Sequence, residues 1–383
     1  MPRRKRSRAA GNDVAKQSTT RRYRQIRTSL DPVGILGADQ LETIHQTSLR
    51  ILEEIGIEFM GDKARQLFRD AGAEVDDDSG RVCIDRELVN RALASAPREF
   101  TLTPRNPENR MHIGGNHVCT SSVGGPPSVH DCINGRRNAN FEDYCKVLKL
   151  VQAHDVIHCT GNQPAPPLEL PAFTRHLDCY RAAATLTDKC YFNTSIGSDR
   201  ALDGIEISRI SRGVSMDEMV DNPSCLTIIS VNSPRRFDGE MAEGLIATAM
   251  HGQCCAVTPF TLMGAMTPTT LAGALAQQNA EALFGIALTQ LVSPGAPVMY
   301  GAFTSNVDMR SGAPAFGTPE NAKANLVGGQ LARRYGLPYR TSNSNASNAV
   351  DLQATYETMM STWGAVTGGA NIVYHAAGWL EGG

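Results

Sequence analysis

The sequence predicts an α/β protein: a parallel (β/α)8 barrel of the TIM type, preceded by a small α+β segment and truncated at its C-terminal end. Three observations carry this. Seven short β-rich runs, 156–163, 190–197, 226–233, 254–263, 297–303, 338–344 and 371–378, alternate with longer helical patterns. Their spacing of about 30 to 45 residues leaves room for a crossover helix each time, and right-handed crossovers demand a parallel sheet. The runs also end alike, on Asn162-Gln163-Pro164, Asn193-Thr194-Ser195, Asn232-Ser233-Pro234, Thr258-Pro259-Phe260, Thr304-Ser305-Asn306, Asn343-Ser344-Asn345 and Tyr374-His375, as strands converging on one mouth would. The eighth strand is either 118–123 or a segment beyond Gly383. Residues 378–383 directly follow a strand-like run, so the barrel reads as incomplete at that end.

Ahead of the barrel, Leu41, Ile44, Leu49, Ile51, Leu52 and Ile55 form a helical apolar stripe that starts near Asp39 and stops at Gly56. A second helix over 63–71 ends at Gly72, two extended runs flank the turn 76–80, and a third helix starts at Asp85. Residues 31–115 are therefore read as the α+β segment and 116–383 as the catalytic barrel. Residues 1–30 are polar and basic, with Arg3, Arg4, Lys5, Arg6, Arg8, Arg21, Arg22, Arg24 and Arg27, and bury too little apolar surface to order themselves.

Composition excludes several classes. Hydrophobic residues make up 41% and charged residues 20%, as in globular proteins. The longest apolar stretches, 226–231 and 254–262, fall far short of the roughly 20 residues that span a bilayer, so no membrane is expected as a partner. Net charge is −2 with the basic residues crowded at the start, which leaves the remainder acidic. The tail lacks interleaved aromatics beyond Tyr23, so no nucleic-acid partner is expected either. Ten cysteines without C-x-x-C spacing read as reduced thiols of a cytoplasmic protein, packed as small hydrophobes.

No G-x-G-x-x-G follows a strand, no P-loop occurs, and H-E-x-x-H and G-x-S-x-G are missing, so neither NAD nor adenosylmethionine is expected. His154, Asp155, His158, Cys159, Cys190, Cys254 and Cys255 contain zinc-ligand types. Adjacent strand residues point to opposite faces, however, so His158 and Cys159 cannot both face the lumen, and no metal is expected. The strand-end set Asn162, Gln163, Asn193, Asn232 and Asn343 reads residue by residue as caps, and as a recurring set reads as a ligand mouth. Phe260, Tyr300, Phe303, Phe316, Tyr374 and Trp379, with Glu381, supply aromatic faces and a carboxylate suited to a cation.

Longer strings carry a resemblance. Residues 42–56, Gly72-Ala73-Glu74-Val75, Leu93-Ala94-Ser95-Ala96-Pro97, Tyr300-Gly301, Val307-Asp308-Met309-Arg310-Ser311-Gly312-Ala313-Pro314, Gly317-Thr318-Pro319-Glu320, Tyr335-Gly336-Leu337-Pro338 and Tyr374-His375-Ala376-Ala377-Gly378 together resemble the trimethylamine methyltransferase family, from about residue 35 to the end. The resemblance implies a barrel methyltransferase that moves a methyl group from a methylated amine to the cobalt of a corrinoid held by a separate protein. Archaeal members acting on trimethylamine carry pyrrolysine in the stretch matching 341–351. Here that stretch is Thr341-Ser342-Asn343-Ser344-Asn345-Ala346-Ser347-Asn348-Ala349-Val350-Asp351, all standard residues, which implies a quaternary amine such as glycine betaine.

On this reading His375, Tyr374 and Glu381 are the expected catalytic residues. Asn162, Gln163, Asn193, Asn232, Phe260, Tyr300, Phe303, Asp308, Arg310 and Asn343 are the expected substrate-binding ones. Asp308 and Arg310 either hold substrate or corrinoid or pair with each other. The expected partners are a corrinoid protein, a small methylated amine and further copies of the chain. Trimethylamine:corrinoid methyl transfer, a zinc enzyme with a thiol acceptor, and a binding-only module are the alternatives.

Overall fold

Eight β-rich runs pair side by side and close on themselves. The computed structural model describes residues 25–381, so the expected basic tail lies outside the described residues as far as residue 24. The barrel strands are β1 (His117–Ser122), β2 (Cys159–Thr160), β3 (Cys190–Asn193), β4 (Leu226–Ile229), β5 (Cys254–Val257), β6 (Val298–Gly301), β7 (Tyr339–Ser342) and β8 (Ile372–Ala377). Neighbours are parallel throughout, and β8 returns to β1 with Ile372 opposite Cys119 and Val373 opposite Thr120. The eighth strand is thus the early run near 118–123 and not a segment beyond Gly383, because β8 already satisfies the free edge of β1.

Side chains alternate across each strand, so one set fills the lumen. Cys119, Cys159, Cys190, Phe192, Leu226, Cys254, Ala256, Met299, Ile372 and Tyr374 form one buried cluster there. Leu102, Met111 and Ile113 belong to the same cluster. They come from the hairpin Phe100–Leu102 with Met111–Ile113, which plugs the amino-terminal end of the barrel. All ten cysteines are free, and burial pushes the lumen thiols above their usual range.

The helices are α1 (Ala38–Arg50), α2 (Asp62–Asp70), α3 (Arg86–Ser95), α4 (Phe141–Ala153), α5 (Arg175–Leu186), α6 (Ser198–Arg212), α7 (Met216–Asp221), α8 (Gly239–Met250), α9 (Leu271–Val292), α10 (Pro319–Tyr335) and α11 (Leu352–Thr367). Many begin on a side-chain cap: Asp85, Asn140, Thr270, Thr318 and Asp351 each accept a backbone N–H of the first turn. Helix α9 is buried at every position from Ala274 to Gln290, because the barrel covers one side and α1, α2 and α3 the other.

The lead-in segment is stitched to the barrel through Ile57–Phe59, which pairs with Arg81–Cys83 and with Arg236–Phe237 of the β4–α8 loop. The expected tail also gives up its last residues to structure. Ile26–Arg27 pairs antiparallel with Val118 and His117, where β1 has ladder groups open before β2 joins it at Ser121.

Polar groups inside α9 are satisfied in place. Glu281, fully buried, accepts from Ser233 Oγ at 2.5 Å, the Arg235 backbone N–H at 2.8 Å and Gln277 Nε2 at 2.8 Å, and so clamps the β4–α8 loop. Burial raises its pKa against the pull of those hydrogen bonds. An acid whose folded pKa is raised favours the fold most at low pH, and that contribution is lost as pH rises through the folded pKa. Denaturant midpoints measured from about pH 4 upward should therefore fall with pH in the native chain and stay flatter in Glu281→Gln; parallel curves would show that Glu281 does not titrate differently on folding.

Candidate functional site

Alternation along β7 decides what the mouth contains. Tyr339 and Thr341 turn outward onto α10, where the Tyr339 hydroxyl donates to the Asn325 carbonyl at 2.8 Å and Thr341 Oγ1 donates to Asn325 Oδ1 at 2.7 Å. Arg340 and Ser342 therefore face the lumen. The Arg340 guanidinium is 2% exposed and lies 4.6 Å over the Tyr374 ring and 5.9 Å from the Phe303 ring. Its Nε and Nη1 have no hydrogen-bond partner, and none of the ion pairs among the described residues includes it. Burial draws its pKa down to about 10, against the two neighbouring tyrosines, so it is charged at neutral pH.

Strand β8 breaks its own alternation. The register with β1 shifts between Val373 and Ala377, and His375 takes a left-handed φ of 60°, so Tyr374 and His375 both reach the mouth. Tyr374 packs on Phe192 at 4.8 Å and accepts the Asn162 backbone N–H at 2.7 Å, and burial pushes its hydroxyl up to about 12. Gly124 lies so close to that hydroxyl that a Cβ there would overlap it. His375 stacks on Trp379 at 4.5 Å and 8° and meets the edge of Phe303 at 6.2 Å. Its Nδ1 is 3.4 Å from Ser344 Oγ, while Nε2 is unpartnered. Burial first, and the Arg340 charge second, hold its pKa well below the usual histidine value, so the ring is neutral.

Aromatic rings line the other side. Past Gly301 and Val257 the chain leaves the barrel and resumes as Phe260–Met263 and Phe303–Val307, two parallel strands with Phe260 opposite Phe303. Their rings are 5.1 Å apart, Phe316 stacks on Phe303 at 5.0 Å, and Trp379 meets Phe316 edge-on at 6.3 Å. A cluster of rings from several chain segments thus begins at Phe303, which with Tyr374 flanks the buried, unpaired guanidinium.

Several expected residues gather here: Tyr374, His375, Phe260 and Phe303. Asn343 joins them, donating its backbone N–H to the Tyr374 carbonyl at 2.8 Å, with Oδ1 unpartnered. Asn162 accepts from Thr194 Oγ1 at 3.1 Å and Gln163, at φ 43°, donates to the same hydroxyl at 3.4 Å. Both border a neighbouring cavity of about 290 Å³ that Arg175 and Arg200 also line. Glu381 donates its backbone N–H to the Ser347 carbonyl at 2.9 Å; its Oε2 is unpartnered, and burial raises its pKa against the effect of Arg136.

Other expected residues lie elsewhere. Tyr300 faces α9 and hydrogen-bonds Asn279 at 2.9 Å and Gln278 at 3.1 Å, since alternation in β6 turns it outward. Asn193 faces α6, where a Cβ on Gly204 would sit 2.7 Å from its Nδ2. Asn232 is exposed and pairs its backbone with Arg236. Asp308 and Arg310 stand on an exposed turn, where Asp308 accepts from the Arg310 backbone and from Ser311 Oγ at 2.6 Å rather than from the guanidinium.

Arg340 escaped sequence reasoning, although it is the one charged residue of the strand run 338–344, and Ser342 and Ser344 were quoted there only as parts of longer strings. Of fifteen buried side-chain nitrogen and oxygen atoms without a partner among the described residues, seven belong to Arg340, Ser342, Asn343, His375, Trp379 and Glu381. Buried polar groups are normally satisfied, so this concentration marks a place for a polar ligand. Among the described residues no three His, Cys, Asp or Glu side chains come together to hold a metal ion. Of the residues weighed for zinc, Cys159, Cys190 and Cys254 lie in the lumen cluster and Cys255 packs with the outer core.

A model of the trimethylamine methyltransferase (MTTB) family matches residues 3–383. The glycine betaine methyltransferase of Desulfitobacterium hafniense is 39% identical over 92% of this chain and 73% of its own length. The proline betaine:corrinoid methyltransferase of Eubacterium limosum is 28% identical over 89% and 71%. The trimethylamine methyltransferase MttB of Methanosarcina barkeri is 28% identical over 91% and 71%. The monomethylamine methyltransferase structure from Methanosarcina barkeri superposes with a TM-score of 0.52 at 11% identity, over 88% of this chain and 72% of that one, which shows the shared fold.

A histidine whose folded pKa is depressed stabilises the fold above its unfolded pKa, and that contribution is lost as pH falls from about 6.5 toward the folded value. Thermal unfolding between about pH 7 and 5 should show the native chain losing stability on acidification and His375→Gln losing less; identical slopes would mean the ring protonates in place.

Proposed function

The chain belongs to the trimethylamine methyltransferase family, and on that footing we propose that it moves a methyl group from a betaine, a quaternary amine bearing a carboxylate, to the Co(I) of a separate corrinoid protein. It is a methyltransferase of a barrel fold. One observation carries the choice of donor. A buried guanidinium with two unpartnered N–H directions and no carboxylate neighbour costs several kcal/mol unless an anion meets it. A betaine brings that anion with it. A methylated ammonium without a carboxylate brings only a second positive charge, which Arg340 repels.

The remaining groups fit the same ligand. The carboxylate meets Arg340, with neutral His375 Nε2 and Ser342 Oγ within the same unpartnered set. The trimethylammonium head lies against the faces of Phe260, Phe303, Phe316 and Trp379, whose electron-rich rings attract a quaternary cation. Held at both ends, the substrate is oriented with a methyl toward the open mouth, which is where entropy is saved in a bimolecular transfer.

The acceptor supplies both electrons of the new carbon–cobalt bond. The C–N bond breaks with its pair on nitrogen and releases a neutral tertiary amine. No proton is needed, in keeping with a histidine held neutral and a tyrosine hydroxyl pushed up to about 12. Trimethylamine would need its leaving nitrogen activated by a proton or an electrophile, and residues 341–351 supply only ordinary side chains. We place the protein in the cytoplasm, where its ten free cysteines would stay reduced. Among the described residues no helix is long and apolar enough to cross a membrane.

Supplied with a reduced corrinoid protein, the enzyme should form methyl-Co(III), read by absorbance, from glycine betaine, proline betaine or carnitine and not from trimethylamine. Arg340→Gln should lower kcat/KM for the betaine by about 30- to 1000-fold, and leave tetramethylammonium, which has no carboxylate, used no worse than before. Methylation from trimethylamine alone, or an unchanged betaine kcat/KM in the variant, would sink this assignment.

A further inference from the structure

Beside the aromatic mouth lies the cavity of about 290 Å³ that Asn162 and Gln163 border. It sits where the loops after β2 and β3 meet the first turns of α5 and α6. Arg175, His176 and Arg200 stand in its wall, and no aspartate or glutamate does. A cleft lined by one sign of charge concentrates ions of the other.

Both arginines are held in direction but not neutralised. Arg175 Nη2 donates to the Leu168 and Leu170 carbonyls at 3.3 and 2.8 Å, and its buried Nε has no partner. The Arg200 guanidinium makes one hydrogen bond, from Nη1 to the Ile196 carbonyl at 3.1 Å. No ion pair among the described residues includes either. Carbonyl partners leave the charge and the remaining N–H groups for a ligand. Helix α6 adds to the field, because its N-cap, Gly197, has no side-chain oxygen for the first-turn N–H groups. Asp199, the one acid of that turn, is outside the cavity wall.

His176 is an independent sign. It is 6% exposed, and Nε2 donates to Asp203 Oδ2 at 2.8 Å while Nδ1 has no partner. Buried polar atoms are normally satisfied. Asp203 can only accept, so Nε2 carries a hydrogen and Nδ1 is open to take one from a ligand. Anionic oxygens for two guanidiniums and an O–H for His176 occur together in a phosphate or phosphate monoester. A carboxylate ion has no such hydrogen, and a quaternary ammonium is repelled.

We propose that this cavity is a phosphate-binding site, separate from the Arg340 site and next to it. Arg175 and Arg200 take the P–O⁻ oxygens, and His176 Nδ1 accepts from the P–OH. Asn162 joins the two sites: its Oδ1 accepts from Thr194 Oγ1 in the cavity wall, and its backbone N–H donates to the hydroxyl of Tyr374, whose ring lies against Arg340. Two sources can bring the group to this mouth, a free phosphate compound or the phosphodiester of a cobalamin-type corrinoid. The open Nδ1 favours the first, since a diester has no O–H.

Isothermal titration calorimetry of the whole chain with inorganic phosphate, glycerol phosphate, dimethyl phosphate, acetate and hydroxocobalamin tests this. Phosphate and glycerol phosphate should bind one site per chain, and acetate more weakly. Arg200→Gln removes no contact between elements, so it should weaken phosphate by about 10- to 100-fold with Tm unchanged; Arg200→Lys should weaken it less. Arg340→Gln should bind phosphate as the native chain does, and glycine betaine should not displace it, so phosphate binding and the betaine assignment stand or fall separately. Hydroxocobalamin binding that exceeds that of phosphate and is lost in Arg200→Gln would support the site and name the corrinoid as its source. No binding of any phosphate compound, acetate binding equal to phosphate, or an Arg200→Gln chain with native phosphate affinity overturns the proposal.

Discussion

Two-residue alternation around a closed parallel barrel is the constraint on which the rest of this molecule depends. It sends small thiols, Phe192, Met299 and Tyr374 into a buried lumen cluster, and it sends Tyr300, Tyr339 and Thr341 outward to be held by α9 and α10. A charge buried in such apolar surroundings is felt strongly. Arg340 is such a charge, and the barrel offers it tyrosine and phenylalanine faces but no carboxylate. The site's chemistry follows from that single unmatched group.

The mouth is built by departures from regularity. A regular β8 would send Tyr374 inward and His375 away; the bulge and the left-handed residue bring both to one place. β5 and β6 stop at the rim and restart as a small sheet whose first residues, Phe260 and Phe303, lean over the opening. Such local strain is stable only when the surroundings determine it. The stack of His375 on Trp379 and the tight fit of Gly124 beneath the Tyr374 hydroxyl supply that determination.

The lead-in segment serves the barrel rather than the ligand. Helices α1, α2 and α3 cover α9, whose buried Asn279 and Glu281 then bind groups on both sides, from Ser48 and Tyr335 to the β4–α8 loop. The hairpin over 100–113 closes the far end of the lumen. The site is thereby left to open at the carboxyl ends of the strands.

By itself the sequence determined the elements and their order. Alternation of β-rich runs with helical stripes, Gly56 and Gly72 as stops and Asp85 as a cap are local features, and the barrel strands and the three lead-in helices appear within the runs so marked, whereas the hairpins over 100–113 and 128–138 and the small sheet at the rim do not follow from them. It also determined that His375, Tyr374, Phe260 and Phe303 stand at strand ends, and so at one mouth. Only the tertiary structure decided which face each side chain took. Tyr300 and Asn193 occupy strand ends yet point outward, Asp308 and Arg310 sit on an exposed turn, and Arg340, one polar residue among several in its run, becomes the one buried cation of the site. Orientation about a strand depends on register with its neighbours and on bulges, and both are set by residues distant in the chain, more than a hundred positions away where β8 takes its register from β1.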